Sequence, residues 1–478
     1  MPQNNFNFAK TKILCTLGPA TDTTEKIIEL IKAGCDGVRL NFSHGNLDYF
    51  EKVFNNINDA CIAENTPLSI LADLQGPKIR VGELSTPEVL LTTGNTIKIV
   101  SEDIKGTKEK ISSLYKPLIN DATIGDVILI DDGLLRLKIT GKDENSLTCL
   151  IENGGILKPK KGINLPGMKL TTPSITKKDY ENLEFIIQKR VDYIALSFVR
   201  HPDEIIKLKN WLKERDKDIQ VISKIEKKEG CDNFESILDA SDGIMVARGD
   251  LGVELPPQDV PMLQKEIIKK CNVKGKLVIT ATQMLESMIN NPVPTRAEAS
   301  DVANAVLDGT GVVMLSGETS IGKYPVETVK MMNSIVKNTE THLQPLKDNE
   351  YEIPIDTEEK VFDSVGRSIV SLSRNINANA IVVFTFKGRT AFNLSKYRPK
   401  AKIIALSNSF KTMNNLSLRW GITSFYSEGI NKEHLAIEEA KKSLLNAGLI
   451  SKGELIIFTA GAPYSEKSRA SWLRFEVI

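Results

Sequence analysis

Short apolar runs alternate with helix-length amphipathic segments along most of this chain, and that alternation restricts the fold more than any other feature of the sequence. Lys12 to Leu17 reads as a strand closed by Gly18-Pro19. Cap residues Thr21 to Thr24 then open a helix that runs to Ala33 and stops at Gly34. Gly37 to Asn41 is a second strand, followed by Phe42-Ser43-His44-Gly45 and a helix from Leu47 to Glu64. Leu68 to Ala72 is a third strand, ending at Asp73. After Pro173 the rhythm resumes, with strands at Tyr193 to Ser197, Gln220 to Lys224, Gly243 to Ala247, Leu277 to Thr280 and Gly311 to Leu315. Helix-like stretches separate them near Asp179 to Lys189, Asp203 to Glu214, Asn233 to Ala240, Pro257 to Asn272 and Arg296 to Leu307. Three strands and five more make the eight parallel strands of a TIM (β/α)8 barrel.

The interruption has its own grammar. From about Gly76 to Gly167 the pattern becomes alternating β runs (Glu88 to Val100, Asp126 to Ile130, Leu134 to Thr140, Ser146 to Glu152) separated by Gly-Asn, Asp-Gly and Asp-Glu-Asn breakers. An all-β domain inserted at the carboxyl end of a barrel strand sits over the mouth, where it can act as a lid. Near the other end, Leu346 to Glu359 reads as a linker. Beyond it a helix (Asp363 to Arg374) and strands at Ile381 to Phe384, Lys402 to Leu406, Thr423 to Tyr426 and Leu455 to Phe458 predict a smaller α/β domain. The expected division is a barrel over 1–75 and 168–345, a lid over 76–167 and a C-terminal domain over 346–478, as suits a 478-residue chain.

Composition narrows the partners. Lys and Arg number 62 against 61 Asp and Glu, a formal charge of +1, so no global field favours nucleic acid or a membrane surface. The N-terminus lacks an apolar signal region, and no apolar run is long enough to span a bilayer, so a soluble, cytoplasmic protein is expected. The six cysteines are scattered without a Cys-x-x-Cys pair, which predicts reduced thiols and no zinc site.

Barrel chemistry gathers at the carboxyl ends of the strands. Here those ends carry Arg39, Asn41 and Ser43; Asp73; Ser197; Lys224 and Glu226; Asp250; Thr282; and Ser316, Gly317 and Glu318. Residues two apart on a strand share a face, so Lys224 and Glu226 project together while Ile225 turns into packing. Glu226 and Asp250, on adjacent strand ends, could hold one hard divalent cation, with waters and substrate oxygens completing its shell as Mg²⁺ prefers. Lys224 beside that cation and Arg39 opposite would surround an anion, which suits phosphoryl transfer. Gly249 and Gly252 leave backbone N–H groups open to a carboxylate or phosphate. No Walker-type phosphate loop and no protein-kinase signature occurs.

These residues fall inside longer motifs: KILCTLGPAT (Lys12 to Thr21), GVRLNFSHG (Gly37 to Gly45), DLQGPKIR (Asp73 to Arg80), KKGINLPG (Lys160 to Gly167), VISKIEKKEG (Val221 to Gly230), VARGDLGVE (Val246 to Glu254), TATQMLESMI (Thr280 to Ile289), PTRAEASDVANAVLDG (Pro294 to Gly309) and MLSGETSIGKYPVE (Met314 to Glu327). In this order they resemble the pyruvate kinases over essentially the whole length. The resemblance implies transfer of the phosphoryl group of phosphoenolpyruvate to ADP, giving pyruvate and ATP in glycolysis. It implies Glu226 and Asp250 as ligands of Mg²⁺ or Mn²⁺, and Lys224 as the charge partner of the phosphoryl in flight. It further implies Arg39 and Arg80 at phosphoryl or nucleotide phosphates, backbone around Gly249 and Asp250 at the substrate carboxylate, and Thr282 near the enolate carbon that is protonated. His44 and Lys161 match nucleotide positions, and a homotetramer is the family's usual assembly.

Two departures are specific to this chain. Many family members read DTKGPEIR where this one reads DLQGPKIR. In those members K⁺ is held by positions matching Asn41, Ser43, Asp73 and the residue after it. Here Leu74 replaces Thr, and Lys78 takes the Glu position that accompanies K⁺ dependence, so a K⁺-independent enzyme is expected. In the C-terminal part, Thr385-Phe386-Lys387-Gly388-Arg389-Thr390 is similar to the family's effector loop, with Lys387 where Ser is more common. Gly388, Thr385 and Thr390 with Lys387 and Arg389 suit an anionic sugar phosphate, a monophosphate more than fructose 1,6-bisphosphate. Two other readings start from the same residues: an oxo-acid lyase or aldolase with Lys224 as Schiff-base former, and a metabolite sensor with a silent barrel.

Overall fold

The computed structural model describes residues 9–77, 79–343, 351–428, 433–462 and 469–478. Eight parallel strands close into a barrel in chain order: Lys12–Thr16, Gly37–Asn41, Ser69–Asp73, Tyr193–Leu196, Gln220–Ile225, Gly243–Ala247, Leu277–Ala281 and Val312–Leu315, the last pairing with the first. The expected barrel is therefore present. Along each strand one set of side chains faces in and the other faces the helices. Leu14, Leu71, Tyr193, Ile222, Met245, Ile279 and Met314 fill the interior, while Ile13, Val38, Ile70, Val221, Ile244, Val278 and Val313 meet the helical layer. Local signals set the helix ends. The Thr23 side chain accepts from the Lys26 N–H, Gly34 closes the same helix at φ 117°, and Thr176 and Thr295 form capping boxes with Asp179 and Glu298.

Between the third and fourth barrel strands lie a six-stranded sheet and a two-stranded sheet with their own apolar core, drawn from Ile79 to Met168. The alternating run from Glu88 to Val100 forms two strands, Val89–Leu91 and Thr96–Val100, because Gly94 takes φ 88° and turns the chain.

The C-terminal domain is a five-stranded sheet, Ile422–Tyr426, Lys402–Ser407, Ala380–Phe384, Leu455–Ala462 and Arg469–Val477 in spatial order, the last strand antiparallel to its neighbour. That edge strand was not expected. Its apolar residues alternate, but Leu473, Phe475 and Val477 are exposed, so nothing in the run marks a core. The helix expected from Asp363 runs instead from Thr357 to Asn375, because the Asp356 side chain caps it by accepting from the Glu359 N–H; the linker is correspondingly shorter. The part of the linker at 344–350 lies outside the described residues.

This domain packs against the amino-terminal base of the barrel. The helix Phe410–Ser417 presents Asn414 and Ser417 to the Leu68 and Ser69 N–H groups, at 3.1 and 2.9 Å. The Tyr193 hydroxyl donates down to the Asn415 carbonyl at 2.6 Å. Leu418, fully buried, joins the apolar cluster inside the barrel and touches Gly37, where a Cβ would come within 2.8 Å of it. Leu418→Ala should cost about 2–5 kcal/mol, as for a core leucine whose cavity cannot collapse. The cost would be read as a lower urea midpoint monitored by Tyr and Trp fluorescence.

Asp192 sits at the same junction. Its carboxylate accepts the Ile70 N–H at 2.9 Å. Burial raises it from 3.8 to about 6, against the Ile70 bond and the nearby Arg190 and Lys411. Because the folded value is raised, the stability this group contributes is present at acid pH and is lost as pH rises through about 6. Asp192→Asn keeps the acceptor and should flatten the fall of Tm between pH 4 and 6; an unchanged slope would show that Asp192 does not titrate there.

Candidate active site at the barrel mouth

Lys224 and Glu226 leave the fifth barrel strand on one face, with Ile225 fully buried between them. The Lys224 Nζ lies 2.9 Å from Glu226 Oε1 and 3.3 Å from Asp73 Oδ1, and donates to Ser197 Oγ at 2.9 Å. Arg39 Nε donates to the other oxygen of Asp73 at 2.7 Å, and its Nη1 donates to Thr16 Oγ1 at 3.0 Å. Asp73, only 1% exposed, thus bridges the two cations. Burial alone would raise its carboxyl, but Lys224 and Arg39 pull it below the ordinary range. Burial alone would lower Lys224, but Asp73 and Glu226 hold it above its ordinary value. Lys224 is therefore a firmly charged ammonium, which argues against the Schiff-base reading, since that chemistry needs a neutral amine.

Glu226 is buried, and its carboxyl is raised by that burial and by repulsion from Asp250, against the pull of Lys224. Its Oε2 accepts the Phe198 N–H at 2.6 Å, and Phe198 takes φ 55°, an uncommon conformation for an aromatic residue. Two carboxylates that repel each other at the edge of a buried cluster suit a divalent cation, which would relieve that repulsion. Among the described residues no group of three or more His, Cys, Asp and Glu side chains could hold a metal, so these two would need waters and substrate oxygens to complete a shell.

Asp250, expected at a strand end, lies just beyond it on a short helix, Arg248–Glu254. The Gly249 N–H, read as open to an anion, donates to Thr282 Oγ1 at 2.8 Å. That hydroxyl in turn donates to the Ala281 carbonyl at 2.6 Å, which fixes its direction. Thr282 has φ 68°, a strained conformation for a β-branched residue, and the surrounding bonds hold it there. Arg248 supplies most of them: it reaches the Thr282 carbonyl at 2.7 Å and grips both oxygens of Asp301 at 2.6 and 2.8 Å. Neither Arg248 nor Asp301 was singled out from sequence. Each lies inside a quoted motif, but their pairing across 53 residues leaves no local signal.

Other expected members lie elsewhere. Glu318 does not face the mouth: fully buried, it accepts the Leu285 and Ser316 N–H groups at 3.1 and 2.7 Å and braces the loop after the last strand. Asn41 Oδ1 is occupied by the Ser43 N–H at 3.1 Å, and the Leu74 side chain is buried in the helical layer. His44 is exposed on the loop after the second strand. Arg80 and Lys161 are tied within the inserted domain, Arg80 Nη1 to the Lys160 carbonyl at 2.6 Å and Lys161 Nζ to Asp131 at 2.7 Å. Lys78 lies outside the described residues. In the C-terminal domain Gly388, at φ 81°, opens the helix Arg389–Lys396 and gives its N–H to Thr385 Oγ1 at 3.0 Å. Arg389 pairs with Glu359 at 2.8 Å, and Thr390 is buried.

Fixed cations, buried carboxylates and a strained hydroxyl at the carboxyl ends of barrel strands define an enzyme that handles small anionic substrates. Residues 8–329 match the family model described as the pyruvate kinase barrel domain, and residues 363–474 match the pyruvate kinase alpha/beta domain. The chain is 43% identical over 474 residues to a pyruvate kinase of Staphylococcus epidermidis, spanning 98% of this chain and 80% of that one. It is 42% identical over 472 residues to one of Geobacillus stearothermophilus, with the same coverage. The crystal structure of a pyruvate kinase from Cryptosporidium parvum superposes with a TM-score of 0.90 at 36% identity, covering 98% of this chain and 96% of that one. The chain belongs to the pyruvate kinase family and is a phosphotransferase.

Proposed function

We propose that this protein transfers the phosphoryl group of phosphoenolpyruvate to ADP at the barrel mouth, and that the Lys224, Asp73 and Arg39 cluster carries the chemistry. The charged Lys224 ammonium, held between Asp73 and Glu226, supports this reading most directly. It provides fixed positive charge where negative charge develops on the phosphoryl and the departing enolate. Glu226 and Asp250 would bind Mg²⁺ or Mn²⁺, which when bound would supply further positive charge to phosphoryl oxygens. The Thr282 hydroxyl, oriented by Gly249 and Ala281, stands ready to guide protonation of the enolate. Arg39 takes phosphate contacts. Arg80, His44 and Lys161 would join the nucleotide when residues 76–167 close as a lid and exclude water. Pyruvate formation from phosphoenolpyruvate, ADP and Mg²⁺ in a coupled assay tests the activity; borohydride trapping of pyruvate without ADP would instead favour the lyase reading.

K⁺ independence is part of the proposal. Leu74 offers no oxygen from its side chain, and Asp73 already has Arg39 and Lys224 as countercharges. Lys78 would supply the remaining positive charge. Rates in K⁺-free buffer should change by less than about threefold on adding KCl, and Lys78→Glu should create a dependence of about tenfold or more, in line with losing one positive charge. A large K⁺ requirement in the unaltered enzyme would refute it. Activation by a sugar monophosphate bound at Thr385, Lys387, Gly388, Arg389 and Thr390 is the regulatory half of the proposal. It is read as a lower KM for phosphoenolpyruvate that disappears in Lys387→Ala. Assembly as a homotetramer, checked by light scattering, completes it.

A further inference from the structure

The barrel mouth does not use one strongly cationic cavity found among the described residues. That space lies at the opposite end, between the base of the barrel and the C-terminal domain. The barrel contributes Asn272 and Lys276, and the C-terminal domain contributes Lys396, Arg398, Arg419 and Trp420. Four cationic side chains line it and no carboxylate does. Lys396 is neutralised by Asp363 at 2.9 Å, and Lys276 donates to the Ser241 carbonyl at 2.7 Å. Arg398, at φ 48°, donates to Asn272 Oδ1 and to the Gly309 carbonyl at 2.8 and 3.0 Å. Its guanidinium stacks over the Trp420 ring, 4.5 Å from the centroid.

Two donors are left over. Arg419 Nη1 and Trp420 Nε1 are buried and have no acceptor among the described residues, although Arg419 is only 7% and Trp420 only 6% exposed. Arg419 spends its other terminal nitrogen on Gln220 and its face on the Phe392 ring, 4.4 Å away. A buried donor without an acceptor costs about 1–3 kcal/mol, more when charged, and here two adjoin a wall of desolvated cations. Burial lowers Lys276, and pushes Arg398 down to about 10, despite the acids within reach of each. A small anion would answer all of these deficits at once. The cavity volume of about 30 Å³ is more than the roughly 10–15 Å³ that one ordered water requires, and too small for a sugar or nucleotide.

We propose that this cavity binds a tetrahedral oxyanion of the inorganic phosphate class. The anion would accept hydrogen bonds from Arg419 Nη1 and Trp420 Nε1 and would be screened by Lys276 and Arg398. Because Lys276 belongs to the barrel while Arg398, Arg419 and Trp420 belong to the C-terminal domain, the anion acts as a clamp between the two. The site lies at the opposite end of the barrel from the mouth and uses none of the residues proposed for the Thr385 to Thr390 loop, so its existence does not depend on the roles proposed for either.

The test is a phosphate titration of the whole protein at constant ionic strength, with chloride as the balancing anion, followed by thermal melting. Phosphate should raise Tm saturably. Trp420→Phe, which keeps an aromatic ring beside Arg398 and loses the Nε1 donor with the rest of the indole, should weaken the half-saturating concentration about tenfold to 100-fold, as for one hydrogen bond to a charged group. Arg419→Lys, which keeps the charge and loses Nη1, should weaken it by tenfold or more. Phosphate held at the mouth would stabilise all three proteins equally. A phosphate effect unchanged in both variants, or none beyond chloride in the unaltered protein, would overturn the proposal. If Arg419→Lys does not fold, the Trp420→Phe comparison decides.

Discussion

Lys224→Met is expected to lower kcat by about 10²–10³-fold, the range seen when one preorganised charge-stabilising group is removed from an active site. KM for phosphoenolpyruvate should move by less than about threefold, because the lost interaction grows as charge develops and is weaker in the ground state. The structural side effects can be separated from this. Asp73 keeps Arg39 as a partner at 2.7 Å, so it is not left as an uncompensated buried charge. Glu226 keeps the Phe198 N–H at 2.6 Å, and its already raised carboxyl would rise further, which eases its burial. Steady-state kinetics alongside far-UV circular dichroism would check both halves. Retained turnover would remove Lys224 from the proposed role.

Glu226→Gln should weaken divalent-cation binding by about 100-fold or more, since altering even the groups that support a ligand costs about 10–100-fold. The readout is direct, the fraction of free Mn²⁺ by electron paramagnetic resonance, and does not require turnover. Fold stability should change little or rise, because an amide removes a buried acid that Asp250 repels. Undiminished Mn²⁺ binding would reassign the site. The two substitutions also differ in what added metal can do: excess Mg²⁺ should recover part of the activity of Glu226→Gln and none of that of Lys224→Met.

The barrel could be read from sequence because its information is local. Each strand is a short apolar run, several helices carry their own side-chain caps, and the interruption after Asp73 changes the periodicity itself. The Lys224 and Glu226 pair was readable for the same reason, since a two-residue spacing on a strand fixes a shared face. Arg248 and Asp301 were not, because their meaning lies in a contact between separate loops that positions Thr282. The short helix Arg248–Glu254 was not expected, because glycines at positions 249 and 252 lower helix propensity. The Thr282 hydroxyl offsets this by accepting the Gly249 N–H in the first turn. Glu318 was misread because a carboxylate after a strand looks catalytic until its backbone partners are seen. The antiparallel edge strand Arg469–Val477 was hidden by exposure on its outer face.

Leu418 carries a lesson for anyone dividing this molecule. This barrel borrows a side chain from the next domain to close its floor. Severed near the linker, the barrel would present an open apolar well ringed by the Leu68 and Ser69 amides that Asn414 and Ser417 had occupied. Such a fragment should stick to itself or to chaperones, and supplying the C-terminal part in trans should rescue its solubility. Two domains in architecture are thus one unit in inheritance: recombination between relatives would have to carry the stopper and the vessel together.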